Sequence, residues 1–192
     1  MTKTRKVLRT LVALGVVGGI ATVGAFSAFS SQTDNPGNTV TAGTVVLADN
    51  DAGAALYTMP NAKPGDQVQS CIRVSYTGSL GADVKLYTPS TIGALGQYVN
   101  LQIEPGTQPS PSFPSCTGFV PDSGGPLFNN TLNTFPTTYA SGVSDFPGAG
   151  TSWVNGNSVV YRVTATLSGS APDAAQSLTT GSHTIRWEAR NQ

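Results

Sequence analysis

Short stretches of alternating apolar and polar residues recur along the chain, and this alternation predicts β-strands. The two clearest examples lie in the last quarter of the sequence, at Ser158–Leu167 and His183–Arg190. In the first, every second residue from Val159 to Leu167 is apolar, and Arg and Thr occupy most positions between them. In the second, Ile185, Trp187 and Ala189 alternate with charged or polar residues. Both stretches are typical of strands with one face on a core and the other in solvent.

Two earlier alternations, Val68–Tyr76 and Ala82–Tyr87, predict a pair of strands joined by a turn at Thr77-Gly78-Ser79. We interpret the two as neighbours in one sheet. Cys71 falls on the polar face of the first strand. A further strand is expected at Tyr98–Glu104, which has the same alternation.

Other stretches carry weaker signals. Thr39–Ala48 is rich in β-branched residues and is expected to be a strand, and Ala54–Met59 is expected to be a short one. Residues 105–126 contain six prolines and four glycines, which predicts a long irregular loop. Leu127–Tyr139 is ambiguous, because its apolar spacing allows a short helix while its Asn and Thr residues are poor helix formers.

These elements together predict an all-β fold. Six to eight strands with long connections favour an antiparallel β-sandwich of two sheets. The pattern shows no internal repeat and no linker, so we expect residues 29–192 to form a single domain.

Charge is scarce and unevenly distributed. Only 10% of the 192 residues are charged, and four of the ten basic residues lie in the first nine positions. The remaining six basic and ten acidic residues give the rest of the chain a net charge of 6 − 10 = −4. A mildly acidic domain without basic clusters has no electrostatic basis for holding nucleic acid, so we predict no nucleic-acid partner.

The N-terminal segment has the pattern of an export signal. A basic start ending at Arg9 is followed by the apolar stretch Leu11–Ala25 and then by small residues, so residues 1–28 are predicted to be a signal peptide. Cleavage is expected after Ala25 or Ala28. The alternative is a retained membrane anchor at Leu11–Phe29, which is almost long enough to span a bilayer. Glycines within the stretch favour removal, which predicts a secreted protein whose membrane contact is limited to the uncleaved signal.

The sequence has two cysteines, Cys71 and Cys116. An even number of cysteines in an exported protein is typical of a disulfide, here between the strand at Val68–Tyr76 and the loop at 105–126. A metal site or a redox site is not expected, because the chain has no CxxC pair and only one histidine.

Catalytic chemistry has few candidate residues. Zinc peptidases use about three protein ligands, commonly with an H-E-x-x-H motif, whereas His183 is the single histidine here. His183 is interpreted as a solvated strand residue. The two glutamates of the chain are Glu104 and Glu188, and Glu188 is expected to face solvent or to pair with Arg162 or Arg186. We predict no catalytic residues and no cofactor.

Two aspartates and three aromatic residues are further candidates for ligand sites. Asp49 and Asp51 resemble the start of a calcium loop, but the later ligands are missing, so a polar turn is favoured. An exposed aromatic residue, Tyr98 or Trp153, would be the platform of a carbohydrate-binding module. Trp187 lies at an inward position of its strand and is interpreted as core packing.

Several short motifs occur in the same order as in the TasA/camelysin family. The chain resembles that family at five places, which are Ala28–Ser31, Asn38–Thr44, Asn61–Asp66, Tyr76–Leu80 and Thr184–Ala189. It departs from the family pattern at Ser31, Val40 and Tyr76, where the family has Asp, Phe and Asn. Residues 90–155 carry little of the resemblance.

The resemblance implies a jelly-roll sandwich and a signal peptide that is removed by a dedicated signal peptidase. It also implies a product at the cell surface or in the extracellular biofilm matrix, where subunits self-associate into fibres. In such fibres an N-terminal segment adds as a strand to the neighbouring subunit, and the corresponding segment here is residues 29–47. The main prediction is therefore a secreted, non-catalytic structural protein. The alternatives are a camelysin-like secreted metalloendopeptidase and a surface adhesion or carbohydrate-binding module.

Overall fold

Two antiparallel β-sheets make up the fold in a computed structural model, which describes residue 37, residues 39–147 and residues 150–192. The chain divides into two compact units, and the sheets belong to the second, Ala42–Gln192. The predicted signal peptide at residues 1–28 lies outside the described residues, as do residues 29–36 of the predicted assembly segment. No helix within the described part of the chain is long and apolar enough to cross a membrane.

Nine strands and three 3₁₀ turns are formed by the described residues. The strands are β1 Leu47–Asp49, β2 Gln67–Tyr76, β3 Ala82–Tyr87, β4 Val99–Thr107, β5 Val120–Pro121, β6 Phe128–Thr131, β7 Val143–Asp145, β8 Ser158–Leu167 and β9 Arg186–Asn191. The 3₁₀ turns are Ala94–Tyr98, Leu132–Thr134 and Asp173–Ala175.

The larger sheet has six strands, in the order β1-β2-β8-β4, with β5 and β6 both pairing with the far side of β4. The smaller sheet has three strands in the order β7-β3-β9. Every strand pair is antiparallel. The all-β, antiparallel class expected from the alternating pattern is therefore confirmed, and the jelly-roll order of connections stays a prediction.

The core lies between the inner faces of the two sheets. In β2, β4 and β8 the alternating apolar residues all point to this side, as their spacing predicts. The smaller sheet contributes fewer residues, and Trp153 adds a fully buried ring beside β3. The buried core residues are Ile72, Val74, Tyr76, Ala82, Val84, Leu86, Val99, Leu101, Ile103, Leu132, Phe135, Trp153, Val159, Tyr161, Val163, Ala165 and Leu167.

The interpretation of Val68–Tyr76 and Ala82–Tyr87 as neighbours in one sheet is wrong. The first stretch forms β2, which pairs with β8 and β1, and the second forms β3, which lies in the smaller sheet. The segment between them crosses from one sheet to the other, and the Tyr76 hydroxyl donates to the Leu80 carbonyl at 2.6 Å within this crossing. Alternation shows which face of a strand is buried, but it does not show which strand lies beside it. The sequence therefore could not distinguish the wrong pairing from the right one.

The weaker signals were partly wrong as well. The 105–126 loop is shorter than expected, because β4 continues to Thr107 and β5 pairs with its end. Gly106 permits this pairing, since a Cβ at that position would collide with the Val120 carbonyl. The short helix considered for Leu127–Tyr139 does not form, and β6 and a single 3₁₀ turn occupy the stretch. Leu132 and Phe135 are buried there, so these apolar residues do face the core, although they do so without a helix.

Two expected strands near the N-terminal side are shortened or absent. Of the stretch Thr39–Ala48, only Leu47 and Ala48 lie in a strand. Ala54–Met59 forms no strand. The stretch is a loop, and its side chains Leu56, Tyr57 and Met59 pack onto the core. The last strand also begins later than expected, at Arg186.

Candidate functional site

A large cavity opens beside the core. Its volume is about 740 Å³. Its floor is the inner face of the larger sheet, and its walls are the loop at residues 51–62 and the segment at residues 180–187. Apolar floor residues are Ile72, Leu95, Val99, Leu132, Ala165 and Leu167.

The cavity arises because the smaller sheet has fewer strands than the larger one. Within the described residues β9 pairs only with β3, so the smaller sheet ends there while the larger sheet continues opposite it. Beyond β9 the floor is covered, in the described part of the chain, by loops and not by a further strand. The Gly93 and Leu95 backbone N–H groups donate to the Thr180 and Thr179 carbonyls at 2.7 and 3.3 Å and hold one of these loops in place. A side chain at Gly93 would collide with the Thr179 carbonyl, so this close approach requires glycine.

Tyr57 and His183 form a hydrogen-bonded pair at the wall of the cavity. The Tyr57 hydroxyl lies 2.7 Å from Nε2 of His183, and Nδ1 of the same ring lies 3.0 Å from the Gly181 carbonyl. A carbonyl oxygen only accepts, so in the neutral ring Nδ1 carries the proton and Nε2 accepts from Tyr57. Burial raises the pKa of Tyr57, which keeps the hydroxyl protonated. The interpretation of His183 as a solvated strand residue is wrong, because the ring is half-buried, precedes the strand and is bonded on both nitrogens.

Asp49 and Asp51 form the polar turn that the sequence favoured. The Asp51 backbone N–H donates to Oδ1 of Asp49 at 3.3 Å, and the Gly53 N–H donates to Oδ1 of Asp51 at 2.6 Å. Partial burial, opposed by the bond from the Asp51 backbone, raises the pKa of Asp49. Asn50 anchors the turn by accepting from the Arg73 N–H at 2.8 Å. Among the residues described, no three His, Cys, Asp or Glu side chains come together as a metal site.

A second, smaller opening lies between the edges of the two sheets, and we call it the seam. It has a volume of about 260 Å³ and lies between β1 and the start of β9. It is adjacent to the large cavity, with which it shares five lining residues. The shared residues are Asp51, Ile72, Thr184, Ile185 and Trp187.

Trp187 lies where the cavity, the seam and the core meet. It is half-buried, and its ring centroid lies 5.4 Å from that of Tyr161 at an angle of 47°. Its indole nitrogen is buried and has no hydrogen-bond partner among the described residues. The prediction that Trp187 packs in the core is therefore correct for its contact with Tyr161. The sequence pattern does not indicate that the residue also lines the cavity.

The core contains a buried carboxylate, Asp145, that the sequence pattern does not indicate. The carboxylate of Asp145 in β7 is buried and accepts a hydrogen bond from the Tyr161 hydroxyl of β8 at 2.7 Å. Trp153 donates from its indole nitrogen to the Asp145 carbonyl at 2.7 Å. Burial raises the pKa of Asp145, although the bond from Tyr161 opposes this rise. No residue pattern around Asp145 indicates that it is buried, and Trp153, considered as an exposed sugar platform, is 0% exposed.

The disulfide between Cys71 and Cys116 is present, as predicted. Cys71 lies on the outer face of β2 and is buried beneath the loop that carries Cys116. The Cys71 N–H donates to the Pro114 carbonyl at 3.0 Å, so hydrogen bonding and the covalent link hold the same loop to the sheet.

Glu188 lies on the partly exposed outer face, in line with one of the two expectations, but its arginine partner differs from the expected ones. Glu188 bonds to Arg190 at 2.8 Å and accepts from the Tyr87 hydroxyl, rather than pairing with Arg162 or Arg186. Arg162 lies on the other sheet, where it pairs with Glu104 at 2.7 Å. The Arg186 guanidinium lies over the Tyr87 ring, 5.7 Å from its centroid.

Uncharged side chains cover much of the outer face of the larger sheet. Neighbouring strands are joined there by bonds of 3.0 to 3.3 Å in which a side-chain amide donates to a hydroxyl or to another amide. The bonded pairs are Gln67 with Thr166, Gln69 with Thr164, and Asn100 with Asn129.

No protein-family model matches the chain, and no curated protein is similar enough in sequence to match it. The resemblance to the TasA/camelysin family therefore rests on the five short motifs alone and stays a prediction.

Proposed function

We propose that the protein is an exported, non-catalytic structural protein of the cell surface or the extracellular biofilm matrix. In this proposal its subunits join into fibres when residues 29–47 of one copy add as a strand to a sheet edge of the next. The disulfide supports the extracellular part, because such bonds persist in oxidising compartments.

The observation that carries the assembly part is the free edge of β9 beside the seam. Within the described residues β9 is paired on one side only, and the seam, which is lined by both apolar and charged residues, runs along its start. An unpaired edge offers backbone N–H and C=O groups to an incoming strand, while the seam offers room for its side chains. In the described part of the segment Val40 and Val46 are exposed and can reach a neighbour. By contrast, Val45 packs on the core of its own copy and Leu47 belongs to β1.

The non-catalytic part rests on how the candidate residues are engaged. Both ring nitrogens of His183 are hydrogen-bonded, and Glu104 and Glu188 are each paired with an arginine on different sheets. Asp145, the buried carboxylate, is bonded inside the core. These residues hold structure, which suits a surface or matrix protein.

Export and assembly are tested on protein recovered from the producing cells. Intact-mass measurement is expected to find a chain that begins after Ala25 or Ala28 and has lost two hydrogens to the disulfide. Electron microscopy of this protein is expected to show filaments. Deleting residues 29–38 is expected to abolish them, and a control that replaces the same residues by an equally long Gly-Ser segment separates the sequence of the segment from its length.

A protein that stays monomeric at all accessible concentrations would overturn the assembly proposal. A full-length chain retained in the membrane fraction would overturn export with cleavage and support an anchor at Leu11–Phe29.

A further inference from the structure

We propose that the large cavity is a binding site for a small organic cation that has an apolar, preferably aromatic, body. This inference goes beyond the structural role and does not depend on assembly, because all the residues that carry it belong to one copy of the chain.

The size and lining of the cavity suit a small molecule. Its volume of about 740 Å³ falls within the range of about 300 to 1,000 Å³ that is usual for ligand sites. Its floor consists of hydrocarbon side chains, so it offers an apolar ligand body an environment from which water is easily displaced. The floor residues Ile72 and Ala165 belong to the two central strands β2 and β8, which makes the bottom of the site rigid.

The Tyr57–His183 pair and Asp51 present hydrogen-bond acceptors at the wall. The Tyr57 proton is directed to His183, and the His183 proton to Gly181, so the Tyr57 oxygen has lone pairs but no proton left for a ligand. Asp51 accepts from Gly53 through Oδ1, which leaves Oδ2 available. A ligand that complements these atoms has to bring hydrogen-bond donors or positive charge.

The charge of the site has one sign. Among the lining side chains of the large cavity Asp51 is the one with a formal charge, and Asp49 lies next to it in the seam. Arg186 also lines the seam, but its guanidinium donates to the Tyr87 hydroxyl at 3.3 Å and lies over that ring. Its guanidinium therefore lies at the outer face of the smaller sheet, and Asp51 remains the formally charged group of the large cavity.

Aromatic rings complete the site. Tyr57 and Trp187 both line the cavity, together with Asp51. Faces of tyrosine and tryptophan attract cations through the ring quadrupole, and the combination of such rings with a carboxylate is the usual chemistry of ammonium recognition. Because an anion would meet Asp51 and a neutral molecule would gain nothing from it, the site should select for positive charge.

The two indole N–H signals of the protein allow a direct test by ¹H–¹⁵N NMR. Trp187 lines the cavity, whereas Trp153 is 0% exposed and does not, so Trp153 is an internal control. The probes are benzyltrimethylammonium, benzyl alcohol and benzenesulfonate, which share a ring and differ in charge. We expect benzyltrimethylammonium to shift the Trp187 signal in a saturable way and to leave the Trp153 signal in place, with weaker effects from the other two.

Two matched variants test the role of charge. Asp51→Asn keeps an oxygen for the Gly53 bond and is expected to weaken binding of the ammonium probe about tenfold, with little effect on benzyl alcohol. Asp173→Asn removes one exposed carboxylate away from the cavity and is expected to leave binding unchanged.

Each outcome supports or overturns the inference. Equal affinity for the three probes, or an Asp51→Asn variant that binds the ammonium as tightly as the wild type, overturns selection for a cation. A Trp187 signal that none of the probes moves overturns the cavity as a binding site. Filament formation is not measured here, so failure of this test and failure of the assembly proposal remain separate results.

Discussion

The Tyr161 hydroxyl donates a hydrogen bond of 2.7 Å to Oδ2 of Asp145 and thereby joins the two sheets through the core. Tyr161 belongs to β8 of the larger sheet, and Asp145 ends β7, an edge strand of the smaller one. The Trp153 indole donates to the backbone of the same aspartate. A short edge strand with little apolar surface is therefore held by polar bonds that water does not reach.

Removing this hydroxyl should destabilise the protein. Tyr161→Phe leaves the buried Asp145 carboxylate without the bond, and we expect the free energy of unfolding to fall by about 1–3 kcal/mol. Urea denaturation measures the loss. Tyr98→Phe, at a half-buried tyrosine whose hydroxyl makes no bond within the described residues, is the matched control and should change stability by less than about 0.5 kcal/mol. Equal losses in the two variants would contradict the role of the bond.

Asp145 should also make stability depend on pH. Burial raises its pKa above the ordinary value of 3.8, so the unfolded chain releases this proton at a lower pH than the folded chain. The stability linked to the protonated carboxyl is therefore fully present below pH 3.8 and is lost as the pH rises through the folded-state pKa. Asp145→Asn removes this loss. The difference in unfolding free energy between variant and wild type, followed by urea denaturation from below pH 3.8 upward, should favour the variant increasingly; a constant difference would speak against it.

The disulfide should contribute a large share of the stability. It closes a loop with a sequence separation of 45, and the loss of loop entropy in the unfolded chain predicts about 4 kcal/mol. The double variant Cys71→Ser with Cys116→Ser is expected to unfold at correspondingly lower urea concentration. Wild-type protein measured with and without reductant provides the control, and reductant should have no effect on the double variant.

The Tyr87 hydroxyl should set the acidity of Glu188. Its hydrogen bond, followed by that from Arg190, lowers the pKa of Glu188 below the ordinary value. In Tyr87→Phe we expect this pKa to rise towards its usual range. The chain has two glutamates, so ¹³C labelling of glutamate gives two carboxyl signals in an NMR titration, and the signal of Glu104 is the unchanged reference.

Gly78 should be intolerant of any side chain. A Cβ there would collide with the Tyr76 hydroxyl and with the Thr44 carbonyl, which lies 2.6 Å from that position. Gly78→Ala is expected to lower stability by about 1–3 kcal/mol, because the β2–β3 crossing would have to open. At Gly81 the nearest atom, Oγ of Ser152, would lie 3.5 Å away, so Gly81→Ala is the matched control. Thermal unfolding of both variants shows whether the loss of stability comes from the collision at Gly78 or from replacing a glycine as such.

Elements whose cause is local are predictable from the sequence. The alternation in Ser158–Leu167 coincides with β8, and the loop-to-strand disulfide follows from residue type and compartment. Features whose cause is tertiary are not predictable in this way. The sheet to which β3 belongs depends on the crossing after Tyr76, and alternation carries no information about it.

The cavity was missed for the same reason. Ala54–Met59 was read as a strand because its residues are apolar, but those residues cover a floor that the shorter sheet leaves open. The pairing of Tyr57 with His183 joins positions 126 residues apart, and no local pattern links them. Asp145 was overlooked because burial of a carboxylate is decided by its partners, here Tyr161 of the opposite sheet.

The amide and hydroxyl pairs on the outer face of the larger sheet have a consequence for how molecules of this protein meet. A face hydrated by neutral groups adds little long-range field of its own, so repulsion between copies comes mainly from the net charge of −4 that the chain carries after its basic start. Copies that approach through this face therefore meet only a small electrostatic barrier. Their rate of encounter should rise only slightly with ionic strength, which makes contact geometry, rather than the salinity of the surroundings, the main factor that governs whether they remain together.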